Sequence, residues 1–166
     1  SDLYLADMTK PNAKPLLISR HDGDAAFAAF EFMPDNKALV YGTNEHGEYN
    51  QAWIYKLETR QKAELVKADW DVMFVTYSPT GKYRVSAVNA DASTQLTILD
   101  SAANAPVTLT GVPAGDIGGV RFSRDEARIA FTVASDTSPA DVFVADLATG
   151  AATRLTRNLN PAVDET

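Results

Sequence analysis

The sequence predicts an all-β fold assembled from repeated four-stranded antiparallel sheets, and three observations carry that prediction. First, a turn phrase recurs: Met33-Pro34-Asp35-Asn36-Lys37, Ser78-Pro79-Thr80-Gly81-Lys82 and Ser123-Arg124-Asp125-Glu126-Ala127. The steps from Asn36 to Gly81 and from Gly81 to Glu126 are both 45 residues. Second, every copy of the phrase lies between two short apolar or aromatic runs. Third, no segment of about 11 or more residues keeps a helical apolar stripe free of Gly, Pro or β-branched interruption. A strand-built repeat of about 45 residues is the signature of a propeller blade, one four-stranded sheet per repeat. The chain therefore reads as a partial β-propeller of about three and a half four-stranded antiparallel blades.

Each complete repeat resolves into four strands. The first is aromatic-rich: Phe27 to Phe32, Val72 to Tyr77 and Gly119 to Phe122. In the turn that follows, Pro presets φ near −65°, and Asn36 or Gly81 can take the left-handed conformation that closes a tight hairpin. Second strands are expected at Ala38 to Thr43, Tyr83 to Asn89 and Arg128 to Val133. Third strands follow at Ala52 to Leu57, Gln95 to Asp100 and Asp141 to Leu147. The short last strands run Ala63 to Val66, Val107 to Thr110 and Thr153 to Thr156, ending in or near Leu-Thr. The corresponding third-strand positions Trp53, Thr97 and Phe143 lie 44 and 46 residues apart, so small insertions fall in loops. Second strands such as Ile129-Ala130-Phe131-Thr132-Val133 are nearly continuous apolar runs, as expected for a sheet covered on both faces.

The chain begins in mid-repeat. Asp2-Leu3-Tyr4-Leu5-Ala6-Asp7-Met8 aligns with Asp141-Val142-Phe143-Val144-Ala145-Asp146-Leu147, and Leu16-Leu17-Ile18-Ser19 aligns with the Leu-Thr strand. The expected organisation within one partial propeller domain, 1–166, is two outer strands of an incomplete blade (1–19), blades at 27–66, 72–110 and 117–156, and an exit segment at 157–166. An open stack of this kind leaves blade faces and strand edges without neighbours. Further blades, or a second copy of the chain, are expected to cover them.

Composition narrows the function classes. An apolar share of 45% and a charged share of 22% are those of a globular protein. No run approaches the roughly 18 to 20 apolar residues of a bilayer-spanning helix, which predicts a soluble chain without a membrane partner. The net charge of −7 argues against nucleic acid, whose phosphates require clustered Lys and Arg. Cysteine is absent, which removes disulfides, thiolate metal sites and cysteine nucleophiles together, and is compatible with periplasm and cytoplasm alike. The opening Ser1-Asp2-Leu3-Tyr4 carries neither an initiator Met nor a signal-peptide pattern, as expected of an excised piece.

The segment Ser123 to Thr156 resembles the TolB-type propeller repeat. The matching residues are Ile129-Ala130-Phe131, Val142-Phe143-Val144-Ala145-Asp146-Leu147, Thr149-Gly150 and Leu155-Thr156. Arg124 and Glu126 replace the Pro and Gly usual in that repeat, so a looser last hairpin is expected. The closing Leu155-Thr156-Arg157-Asn158-Leu159-Asn160-Pro161, followed by Ala162-Val163-Asp164-Glu165-Thr166, is similar to the end of the last blade in bacterial prolyl oligopeptidase-family serine peptidases. That resemblance implies an exit into an α/β-hydrolase domain that is absent here, further blades, and peptides as substrates of the intact protein. It also implies a propeller that admits short peptides and excludes folded proteins.

No catalytic machinery is legible in the chain itself. No Gly-x-Ser-x-Gly occurs, and Gly115-Asp116-Ile117-Gly118-Gly119 lacks a serine. His21 and His46, the two histidines, are expected as solvated loop residues without a serine partner. His21-Asp22-Gly23-Asp24 lacks the further acidic ligands of a calcium loop and reads as an inter-blade turn. No metal site and no cofactor are expected. The loop Asn44-Glu45-His46-Gly47-Glu48-Tyr49-Asn50 is the most polar and aromatic connection. Glu45, His46, Glu48 and Tyr49 are its candidate substrate- or domain-facing residues, with a merely longer exposed hairpin as the alternative. Trp53, Trp70, Phe74 and Tyr77 are expected in the blade core. Two functions remain open: a gating propeller portion of a serine peptidase, and a TolB-like protein-binding propeller without a catalytic domain.

Overall fold

A computed structural model describes residues 1–91 and 93–159; of the expected exit segment 157–166, residues 160–166 lie outside the described residues. None of the described residues is helical. The chain forms a partial β-propeller from one two-stranded and three four-stranded antiparallel sheets. It divides into two compact units, Ser1–Val75 and Thr76–Thr166.

In the first unit, β1 (Tyr4–Leu5) pairs with β2 (Leu16–Leu17). The first complete sheet runs in chain order: β3 (Phe27–Phe32), β4 (Ala38–Thr43), β5 (Gln51–Lys56) and β6 (Lys62–Val66). All six residues of β4 are buried, which is why its sequence is an apolar run rather than an alternation. Register places Leu39 opposite Tyr55 and Tyr41 opposite Trp53. The face they share packs with Phe27 and with Ile18, Leu3 and Leu5 from the β1–β2 end, forming one apolar cluster. Each such side chain contributes roughly 1.5–3 kcal/mol on burial, so the two outer strands are held by this face and not by their own two-residue ladder. Ser1 adds reciprocal bonds, its Oγ donating to the Phe27 carbonyl and accepting from the Phe27 N–H at 3.0 and 2.9 Å.

The next sheet contains β7 (Asp71–Tyr77), β8 (Tyr83–Ala90), β9 (Ser93–Asp100) and β10 (Ala105–Val107). The last contains β11 (Asp116–Phe122), β12 (Arg128–Ser135), β13 (Ser138–Asp146) and β14 (Ala152–Arg154). Within the second unit these sheets meet at Tyr83, stacked on Phe122 at 6.2 Å, while inside the last sheet the cross-strand partners Phe131 and Phe143 stack at 6.0 Å. Burial along β12 alternates, with Ile129, Phe131 and Val133 buried and Ala130 and Thr132 only partly covered. The unbroken apolar run there does not correspond to two fully covered faces, as it does in β4.

The three turn phrases have one geometry. Asn36, Gly81 and Glu126 each donate a backbone N–H three residues back, at 2.8, 2.9 and 3.0 Å, and all have positive φ (56°, 80° and 56°). The third hairpin is therefore no looser than the others, correcting the expectation from its missing Pro and Gly. The left-handed conformation that Gly81 adopts freely costs Glu126 about 1–2 kcal/mol, and its carboxylate offsets that cost. Oε1 accepts from the Thr80 N–H at 2.8 Å, and both oxygens accept from the Thr80 hydroxyl, at 2.9 and 2.7 Å.

A second recurrent device explains the Leu-Thr ending. Thr156 Oγ1 accepts from the Val142 N–H at 2.9 Å and donates to Asp141 Oδ1 at 2.7 Å. Ser19 and Asp2 repeat this at the start of the chain, with Leu3 N–H to Ser19 Oγ at 2.7 Å and Ser19 Oγ to Asp2 at 3.2 Å. In the first complete sheet Gln51 does the same work, accepting from the Ala68 N–H at 2.7 Å and donating to its carbonyl at 3.0 Å. A polar side chain at the start of the third strand thus ties down the chain leaving the fourth.

Candidate functional site

Antiparallel order puts alternate connections at opposite ends of a sheet. In the first complete blade the β3–β4 and β5–β6 turns lie at one end. The β4–β5 loop, residues 44–50, and the β6–β7 connection, residues 67–70, lie at the other. Their side chains, with those at the strand ends, line a cleft of about 410 Å³. Its wall includes Thr43, His46, Glu48, Tyr49, Trp53 and Glu64, and Lys67 and Asp69 complete its rim.

The loop is fixed from both sides. Asn44 Oδ1 accepts from the Ala26 N–H at 2.8 Å, and the Glu45 N–H donates to Thr43 Oγ1 at 3.0 Å. Asn50 binds the start of β7 three times: its N–H to Asp71 Oδ1 at 2.7 Å, its amide to the Val72 carbonyl at 2.8 Å, and its carbonyl from the Val72 N–H at 2.7 Å. Gly42 is needed beneath it, because a Cβ there would lie 2.6 Å from the Phe30 ring and 2.7 Å from the Asn50 amide. A connection held this way presents its side chains from a defined frame.

The structure brings Glu45, His46 and Tyr49 into aromatic or ionic contact with the blade. His46 lies on Trp53 with ring centroids 4.4 Å apart, and Tyr49 on Trp70 at 5.9 Å. Glu45 Oε2 is 3.7 Å from both His46 Nε2 and Lys62 Nζ. Glu48 is exposed on the cleft rim. Below them Tyr41, 2% exposed, has its phenol pushed up to about 12, by burial first and by the negative charge of Glu45 second. Three buried polar atoms here lack a hydrogen-bond partner among the described residues: Tyr41 Oη, Glu45 Oε2 and Trp53 Nε1.

Two expectations are corrected. Trp70 is not core: it is 43% exposed and stands beside Tyr49, because it sits on a connection and not within a strand. His21 is not a solvated loop residue; its side chain is mostly covered, Nδ1 is 2.7 Å from the Ser19 carbonyl, and the ring packs on Phe27 at 4.9 Å. Sequence reading missed Glu64, Lys67 and Asp69 altogether. The one signal for Glu64 was register: a bulge between Ala52 and Trp53 sets it opposite Trp53. Among the described residues no hydroxyl is hydrogen-bonded to either histidine ring.

No protein-family model matches the chain, and no curated protein matches it. Solved structures do. The chain is similar to TolB from Acinetobacter baumannii at 22% identity and a TM-score of 0.67, covering 93% of this chain and 37% of that one. It is similar to prolyl oligopeptidase B from Galerina marginata at 12% identity and a TM-score of 0.76, covering 99% and 24%. A prolyl endopeptidase structure matches at 15% identity and a TM-score of 0.70, covering 96% and 24%. At these identities the likeness is one of fold. The chain spans well under two thirds of the length of each of these structures.

Proposed function

We propose that this chain is a non-catalytic propeller portion of a prolyl oligopeptidase-family serine peptidase, one that restricts peptide access to an α/β-hydrolase domain elsewhere in the same protein. The observation carrying this reading is the likeness of fold to a prolyl oligopeptidase structure over 99% of the chain at a TM-score of 0.76, while the chain contains no Gly-x-Ser-x-Gly. The partners are that hydrolase domain, the remaining blades and peptide substrates, and free blade faces lead the isolated chain to self-associate. The second reading, a TolB-like protein-binding propeller, is supported by the higher identity to TolB, 22%.

The coding sequence beyond Thr166 separates the two. A Gly-x-Ser-x-Gly followed by Asp and then His supports the peptidase, and an immediate stop codon supports the binding module. In the peptidase case the full-length protein cleaves short peptides and spares folded proteins, whereas the isolated chain gives no turnover. Hydrolysis by the isolated chain that a serine-directed inhibitor abolishes would overturn the reading.

A further inference from the structure

We propose that the cleft at the loop end of the first complete blade binds the guanidinium of an arginine carried on an extended peptide. This goes beyond the function proposed above and does not need the hydrolase domain, since a protein-binding propeller could use the same cleft.

Charge is the first ground. Glu48, Glu64 and Asp69 line the cleft against one cation, Lys67. The nearest recorded ion pairs go elsewhere, joining Glu45 to Lys62 and to His46. None of the three lining carboxylates has an ion pair or side-chain hydrogen bond among the described residues, so all are available to a cation. Shape is the second ground. Tyr49 and Trp53 line the same space, and a cation over an aromatic face is attracted by its quadrupole. The carboxylates come from three segments, the 44–50 loop, β6 and the 67–70 connection. A flat fork of N–H donors reaches dispersed acceptors better than a compact ammonium does. A hard metal ion would need converging oxygens where this cleft offers rings.

The indole of Trp53 supplies the third ground and identifies the carrier. Trp53 lines the cleft, and its Nε1 is buried without a hydrogen-bond partner among the described residues. A buried donor left unpaired is costly, and a guanidinium, having only donors, cannot satisfy it. A backbone carbonyl of the peptide that bears the arginine can.

The test is titration of the full chain with acetyl-Ala-Arg-Ala-amide and with its citrulline and lysine counterparts, followed by ¹⁵N–¹H spectra. Trp53 and Trp70 are the two tryptophans, so two indole resonances report on the site. The arginine peptide is expected to shift the Trp53 indole and to bind about tenfold more tightly than citrulline. Lysine should fall between them, and added salt should weaken only the charged peptides. Glu64→Gln, at an exposed position that leaves the fold intact, should lower arginine affinity about tenfold and leave citrulline binding unchanged. Trp53→Phe should weaken all three peptides. Equal binding of arginine and citrulline, equal binding of lysine and arginine, or saturation without movement of the Trp53 indole would each overturn the proposal.

Discussion

Glu126 shows how one side chain can break a local rule and be compensated. It occupies the left-handed turn position that Asn36 and Gly81 hold in the other blades, yet it is only 8% exposed. Its carboxyl lies below the ordinary value of 4.5, held down first by the Ser78 hydroxyl and then by the Thr80 N–H and hydroxyl. Because the folded value is depressed, the stability it contributes is complete above the unfolded value near 4.5. It is lost as pH falls through the lower folded one. Glu126→Gln keeps the shape and removes the charge. Its destabilisation relative to wild type should therefore be full at neutral pH and shrink on acidification below about 4.5, read by urea midpoints. Glu126→Gly relieves the backbone strain but strands the Thr80 donors, and should still cost about 1–2 kcal/mol. A glycine variant stabilised by the full relieved strain of about 1–2 kcal/mol would show that the carboxylate contacts carry nothing. Asp125, Asp141 and Asp146 are likewise depressed by hydrogen bonds, so only the difference from wild type isolates Glu126.

At the level of elements, the sheets were largely legible and their exceptions have specific causes. The strands Phe27–Phe32 and Ala38–Thr43 are found as read, because a Pro-bearing turn and a polar loop bound them sharply. β11 begins at Asp116 and not at Gly119: Gly118 and Gly119 look like a strand end, but the register shifts between Gly118 and Arg121 and the ladder continues. β13 begins at Ser138, so Pro139, which reads as loop, lies in the strand; the partner β14 pairs only from Phe143 to Ala145, leaving no ladder donor needed there. The cleft was half legible. Composition drew attention to Glu45, His46, Glu48 and Tyr49, whereas Glu64 and Asp69 join them only through a bulge and a connection whose course no local pattern encodes. Gly150 gives the element-scale prediction. It has φ 73°, and a Cβ there would meet the Thr108 carbonyl oxygen at 2.0 Å, where the Thr110 N–H donates to the Gly150 carbonyl at 2.8 Å. Gly150→Ala should cost about 3 kcal/mol or more, combining strain with loss of this seam between β10 and β14. Gly23, at φ 77° with nothing near its missing Cβ, gives the strain alone, about 1–2 kcal/mol. Equal costs for the two alanines would refute the seam.

For the whole molecule, the opposing quantities are apolar exposure and net charge. Tyr4, Met8, Leu16, Phe32, Trp70, Met73 and Leu155 are 40–89% exposed, and Phe32 and Met73 stand on strands of the sheets themselves. β3 pairs only with β4, so it leaves an edge on which another chain can add. Association through these faces is favoured at roughly 25 cal/mol per Å² of apolar area removed from water. A net charge of −7 on each copy opposes it over the Debye length, about 30 Å in 0.01 M salt and about 8 Å at 0.15 M. The isolated chain should accordingly be more monomeric in dilute buffer and self-associate as salt is raised, the opposite of a contact made by ion pairs. Light scattering at matched protein concentration and increasing ionic strength reads this directly. Replacing Phe32 and Met73 together by Ser and Thr should lower the association without changing the salt trend of what remains. A monomer at every salt and at high concentration would mean that the exposed faces are too dispersed to form an interface.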